Sequence, residues 1–258
     1  MQQSFYETDE PGRYRATVAT AGPWSPDAQH GGPPSALAAR ELEQHEPDEN
    51  MRLARVAIDI LRPVPVGELT ARTRTLRPGK RVALLETVLE SDGRDVLCAR
   101  GWRIARLDDA PVVPKNATPA TLPATAIQPR FPGGFSDGYL SHIEWRFESG
   151  SFDVPGPCRA WGRPMVPLLP DESITPMSLA LLIADTGSGI SRTLDPREFI
   201  FINVDLTVIL QRDPVGEWVR LDAETTMGGT GTGLAETQLS DSTGVIGAAI
   251  QTLLVSPR

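Results

Sequence analysis

The stretch Ala54 to Ile104, ARVAIDILRPVPVGELTARTRTLRPGKRVALLETVLESDGRDVLCARGWRI, is answered by Asn203 to Leu254, NVDLTVILQRDPVGEWVRLDAETTMGGTGTGLAETQLSDSTGVIGAAIQTLL. Pro65-Val66-Gly67-Glu68-Leu69 aligns with Pro214-Val215-Gly216-Glu217-Trp218 at a shift of 149 (214 − 65). Leu85-Glu86-Thr87 aligns with Ala235-Glu236-Thr237 at 150 (235 − 85), and Asp92-Gly93 with Thr243-Gly244 at 151 (243 − 92). Three anchors in one order establish a duplicated unit, and a drift of one residue at each turn is what loops tolerate.

Within each copy the local signals agree. Val56 to Ile60 and Val204 to Leu210 place β-branched or aliphatic residues at alternate positions, the period of a half-buried strand. Turn chemistry follows at Arg77-Pro78-Gly79-Lys80 and Met227-Gly228-Gly229-Thr230, and again at Ser91-Asp92-Gly93 and Ser242-Thr243-Gly244. Each copy is therefore expected to be a meander of long antiparallel strands.

A helix is expected before each meander. In the first copy it spans Pro33 to Glu46, approached through Gly31-Gly32 and rich in Ala and Leu. In the second, Thr175 suits an N-cap, Pro176 the first helical position, and Met177 to Asp185 the body. Leu179, Leu182 and Ile183 share a face, but their neighbours are apolar too, so this helix should be buried on most sides. Between the copies, Ala110 to Gly134 is rich in Pro, Ala and Thr and reads as a surface linker, with strands resuming near Ser141 to Phe147. The expected division is residues 1–109, a linker over 110–134, and residues 135–258.

Composition excludes several classes. A net charge of −8 opposes a general nucleic-acid binder, which needs a basic face, yet a few local arginines still suit one small anion. The two cysteines, Cys98 and Cys158, form no CxxC and make neither a disulfide scaffold nor a metal site. Met1 to Glu10 is polar and acidic, and no apolar run reaches the roughly 20 residues of a membrane span. The reading is a cytoplasmic, unanchored protein with no metal and no cofactor.

A long, mostly apolar helix followed by a curled antiparallel sheet, twice over, is an α+β arrangement of two fused hot-dog units. Over nearly its whole length the chain resembles the acyl-CoA thioesterase II (TesB-like) family. The resemblance rests on HGGPPSALAARELE at His30 to Glu43, on Ile183-Ala184-Asp185, on NVDLTVILQR at Asn203 to Arg212 and on AAIQTLL at Ala248 to Leu254. It implies hydrolysis of acyl-CoA to a fatty acid and free CoA, and a homodimer or larger homo-oligomer. It also implies that Asp185, Asn203 and Gln251 together orient a water. The family usually has threonine where this chain has Asn203, an amide that still donates and accepts hydrogen bonds.

The residues themselves support a base at Asp185. It is the only acidic residue between Glu172 and Asp195, in an apolar stretch near a helix C-terminus, and both settings disfavour negative charge. Thr186-Gly187-Ser188-Gly189 would let backbone approach a ligand. His30 and Gly32 stand at the first helix start, where His30 could face the ligand and the Gly32 amide could hold an oxyanion. Leu179, Leu182 and Ile183 are expected to line an acyl tunnel. Aligning the helices by 142 (176 − 34) puts Glu43 opposite Asp185, while about Ala54 and Gly101 fall opposite Asn203 and Gln251, so one site per chain is expected.

Plainer roles stay open at each position. Asp185 could cap a turn, Asn203 and Gln251 could be ordinary strand residues, and His30 a loop histidine. GxSxG is absent, and Gly228 to Gly233 lacks the lysine of a phosphate loop. Arg62, Arg77, Lys80 and Arg81 could meet the CoA phosphates or be solvated strand-face charges. The rival reading is a non-catalytic module that binds acyl-CoA or lipid.

Overall fold

The computed structural model describes residues 3–107, 109–112, 120–127, 135 and 137–258. A hairpin of β1 (Tyr6–Glu10) and β2 (Arg13–Ala16) leads to α1 (Gly32–Gln44). The meander β3 (Met51–Ile60), β4 (Glu68–Arg77), β5 (Val82–Ser91) and β6 (Arg94–Ala105) follows. The second half repeats this order with β7 (Ile143–Ser149), β8 (Cys158–Pro164), α2 (Pro176–Ala184) and a further turn, α3 (Gly187–Ile190). After a short β9 (Phe199–Asn203) come β10 (Asp205–Leu210), β11 (Val219–Met227), β12 (Thr232–Asp241) and β13 (Gly244–Pro257).

One antiparallel sheet runs β1-β2-β4-β5-β6-β3-β10-β13-β12-β11-β8-β7, with β9 added to β13. Counted inward from its two edges, the sheet has the same order of equivalent strands. The halves join where β3 pairs with β10, and there Ala57 faces Thr207, residues 150 apart (207 − 57). That offset equals the central shift of the sequence repeat, so an approximate twofold axis passes through the seam.

The expected turns all fall between strands. Asp92 (φ 50°) and Gly93 (φ 73°) close the β5–β6 hairpin in the left-handed conformation such tight turns require. Side chains alternate across the sheet: Val56 and Ile58 of β3 and Leu206 and Val208 of β10 are buried. Leu37 and Leu42 of α1 and the whole of α2 from Met177 to Ala184 are buried in the same core. The two helices pack closely because their contact is made of small groups. Ser178 donates to the Ala36 carbonyl at 2.8 Å, and a Cβ at Gly32 would run into the Leu182 carbonyl.

Several expectations need correction. The first helix spans Gly32–Gln44 rather than 33–46, because the chain turns left-handed at Glu46 (φ 45°). There Arg103, buried, donates to the carbonyls of Leu42, Glu43, His45 and Glu46 and so satisfies the open helix end. The second helix is not long: it has nine residues and stops at Ala184. Gly187 and Gly189 weaken its continuation, and Asp185 turns its side chain to partners outside the helix. The edge strand β1, its neighbour β2, the penultimate strand β8 and the short β9 escaped the sequence reading. β1 is exposed at four of its five positions, so it reads as a polar tail. Residues Tyr139–His142 form a 3-10 turn, and β7 starts only at Ile143.

Of the linker, 113–119 and 128–134 lie outside the described residues, as do Met1 and Gln2. Its Ile127 bonds to the Trp145 carbonyl at 2.8 Å. No helix among the described residues is long and apolar enough to cross a membrane.

Candidate active site

The early end of α2 leaves Asp185 as its C-cap, only 4% exposed, between the two halves of the molecule. Thr175 fixes the other end of this helix, its hydroxyl accepting from the Ser178 N–H at 3.3 Å. Three side chains from distant parts of the chain converge on the Asp185 carboxylate. Asn203 Nδ2 donates to Oδ1 at 2.8 Å, His30 Nδ1 lies 2.8 Å from Oδ2, and Gln251 Nε2 lies 3.4 Å from Oδ1.

Sheet register explains the meeting. Asn203 on β9 is opposite Leu253 on β13, so it shares a sheet face with Gln251 two residues away. That face is the one the helices cover. Gln251 is held at both ends of its amide. Nε2 donates to the Asp185 carbonyl at 3.0 Å, while Oε1 accepts from the Ser188 N–H at 3.1 Å. It thereby ties β13 to the turn that follows α2.

His30 has a choice of partners. Its Nδ1 lies 2.8 Å from Asp185 and 3.2 Å from the Gly32 N–H. With a proton on Nδ1 the ring donates to the carboxylate; without one it accepts from Gly32. The ring stacks on Tyr139, with centroids 4.0 Å apart at 16°. Tyr139 is wholly buried and donates to the Leu182 carbonyl at 2.6 Å, with Thr186 Oγ1 3.0 Å away. Burial pushes its hydroxyl well above the usual range, outweighing the opposing Thr186 contact, so Tyr139 positions the imidazole and does not act as a base.

Asp185, His30 and Asn203 open on a cavity of about 570 Å³, whereas Gln251 and Tyr139 stand behind them and do not line it. Asp185, His30 and Asn203 line it together with Gly31, Thr186 and Ser188, and Leu97, Leu140, Phe152 and Phe201 make its apolar wall. Gly31 is needed here, since a Cβ would lie 2.8 Å from Asp185 Oδ1. Such a chamber offers a polar corner with a buried carboxylate beside an apolar space, a setting for a bound water next to an apolar acyl group.

The structure thus brings Asp185, Asn203, Gln251 and His30 together. Gly32 adjoins His30 but does not line the cavity, and Leu179 and Leu182 lie in the core outside its wall. Sequence reasoning missed Tyr139, Phe152 and Phe201, for which it held no signal, while Gly31 and Ser188 lie in the two glycine-rich stretches it singled out without giving either residue a role of its own.

The equivalent place in the first half is filled. A Cβ at Gly101 would lie 2.8 Å from Leu42 Cδ1 and from Leu53 Cδ2, so apolar packing occupies the space Gln251 takes in the second half. Glu43, opposite Asp185 in the repeat, does not line the cavity.

Comparisons with known proteins bear on the family and the fold. A model of the acyl-CoA thioesterase N-terminal domain matches residues 20–104, and one of the C-terminal domain matches residues 115–255. No curated protein matches the sequence significantly. Among solved structures, a thioesterase II candidate from Thermobifida fusca superposes with a TM-score of 0.72 at 17% identity, covering 97% of this chain and 95% of that one. The acyl-CoA thioesterase II TesB2 of Mycobacterium marinum gives 0.68 at 15% identity, with 98% and 95% covered. A hot-dog-fold protein of unknown function from Alicyclobacillus acidocaldarius gives 0.69 at 16%, again with 98% and 95% covered. At these identities the solved structures establish the hot-dog fold and nothing finer.

Proposed function

The chain belongs to the acyl-CoA thioesterase family and is a thioester hydrolase, and from that premise we propose how it cleaves an acyl-CoA. A water sits in the polar corner of the cavity, oriented by Asn203, while Gln251, bonded to the Asp185 carbonyl and the Ser188 N–H, holds the turn that carries the carboxylate. Asp185 accepts its proton as the oxygen attacks the thioester carbonyl. The negative oxygen of the tetrahedral intermediate lies at the start of α1. Pro33 and Pro34 have no N–H, so the donors at that helix start are the amide of Gly31, which lines the cavity, and that of Gly32 beside it. When His30 donates to Asp185 through Nδ1, the Gly32 amide is released from the ring. Collapse then breaks the carbon–sulfur bond, and the departing CoA thiolate takes the proton from Asp185. The acyl chain lies against Leu97, Leu140 and Phe152.

The observation that carries this reading is the convergence of Asn203, Gln251 and His30 on one buried carboxylate at a cavity. Free CoA released from short, medium and long acyl-CoAs, detected by mass spectrometry, tests it. Asp185→Asn should lower kcat by about 100- to 10,000-fold with the fold intact. Unchanged turnover would refute the assignment.

One observation favours a second reading. Asn203 replaces the family's usual threonine, and its amide nitrogen is already engaged by Asp185 and, at 3.3 Å, the Asp205 carbonyl. A protein that binds acyl-CoA without cleaving it would show ligand-induced thermal stabilisation and no CoA release.

The duplicated strand order supports two fused hot-dog units over 1–109 and 135–258, tied by 110–134. Ile209, Ile250 and Leu254 are about half exposed on the sheet face away from the helices, which supports pairing with a second copy. Light scattering should give at least twice the 27.9 kDa of one chain.

A further inference from the structure

The cavity has an inner and an outer end of different chemistry. Inside are buried Leu97, Leu140 and Phe152 and the carboxylate of Asp185. Outside are Leu61, 49% exposed, and Arg62, which is also exposed. Arg62 is the only lysine or arginine lining the cavity among the described residues.

Its position is fixed by the backbone. Where β3 ends at the seam, the Ile60 N–H donates to the Val204 carbonyl at 2.9 Å. The N–H groups of Leu61 and Arg62 both donate to the Val96 carbonyl, at 3.0 and 3.2 Å. The guanidinium makes one bond to the protein, Nη1 donating to the Asp95 carbonyl oxygen at 2.6 Å. The Asp95 carboxylate is occupied by Arg72 at 2.6 Å. Among the described residues no carboxylate lies within ion-pairing distance of Arg62. Its charge is therefore held in place at the rim but not neutralised, in a protein of net charge −8.

Arg77, Lys80 and Arg81 differ: they stand at the β4–β5 turn, and none lines the cavity. We propose that Arg62 anchors the phosphates of the coenzyme A carrier, and that this contact, not the acyl chain alone, selects CoA thioesters. The proposal rests on the thioesterase reading of the same cavity. A CoA thioester is uncharged at its reacting end and carries all its anions at the far end of a long neutral arm. A cavity with its base inside and one unneutralised guanidinium at its mouth has the matching polarity, and a guanidinium suits phosphate oxygens geometrically.

Kinetics with paired substrates test it. Wild type, Arg62→Ala and Lys80→Ala are compared on one acyl group carried by CoA and by N-acetylcysteamine, which keeps the thioester but has no phosphate. R62A should raise KM for the CoA substrate about tenfold, leave kcat within about twofold, and leave the N-acetylcysteamine substrate unchanged. K80A should match wild type on both. Equal changes on the two carriers, or no change with CoA, would overturn the proposal.

A turnover-independent arm separates the two readings. Free CoA is titrated into wild type and R62A by calorimetry. If no thioester is cleaved but CoA binds wild type and binds R62A about tenfold more weakly, the hydrolytic reading fails and this one stands. If CoA binds both equally, or binds neither, the anchor is wrong whatever the catalytic result.

Discussion

Asp185 is a residue whose surroundings matter more than its identity. Alone at the end of an apolar helix it would be a cap; with Asn203 and His30 each 2.8 Å from its oxygens its carboxylate is held in one orientation, which the proposed base requires. Its repeat partner, Glu43, shows the alternative outcome. Burial pushes the Glu43 carboxyl up from its ordinary 4.5 to about 7, more than the Thr175 hydroxyl lowers it. Between those two values the folded protein holds a proton that the unfolded chain has lost, so stability falls as pH rises through that window and levels off above it. Glu43→Gln should remove this slope, changing the difference between pH 5 and pH 8 by about 1–3 kcal/mol in urea titrations. An unchanged slope would show that Glu43 is not its source. At this scale the sequence was partly legible. Isolation in an apolar stretch marked Asp185, but Asn203 and Gln251 emerged only through family resemblance. Tyr139 carries no local signal, because what it touches lies across the fold.

Elements were legible where a periodic pattern met a turn. The eight meander strands carry alternating residues bounded by Gly, Pro or Asp, and they fall where expected. β1 does not, because a strand exposed at four of its five positions has no apolar face to alternate with a polar one; β2, at four residues, is too short to show a period, and β8 is buried at four of seven positions without alternating. Helix α2 was overestimated because apolarity reports burial and does not report length. Its contact with α1 is tight enough to test. Gly32→Ala would place a methyl group against the Leu182 carbonyl and should destabilise the protein by about 1–3 kcal/mol, read by thermal denaturation. Wild-type stability would mean that the helices have room to separate.

The whole molecule is built on one sheet, and its two halves meet within it. β3 and β10 pair backbone to backbone along five residues, from Arg55 with Ile209 to Asp59 with Asp205. Separating the halves would expose both strand edges and the faces of both helices. Fragments 1–109 and 135–258 should therefore fail to fold when expressed singly and should recover cooperative unfolding when co-expressed, followed by circular dichroism. A single fragment that unfolds cooperatively on its own would contradict this. The duplication was readable from three anchors, but the cavity was not, since its walls come from both copies.

The seam between Ala57 and Thr207 also has an ancestry written into it. Equivalent positions of the two copies face each other there, as one residue faces itself in a symmetric pair of identical molecules. Joining such a pair into one chain replaces a concentration-dependent encounter with a permanent one. Once the partners are covalently distinct, mutations no longer strike both at once. The two halves now differ at this place, one with leucines packed over Gly101 and the other with the amide of Gln251. Specialisation of this kind is closed to a homodimer, whose every substitution is made twice.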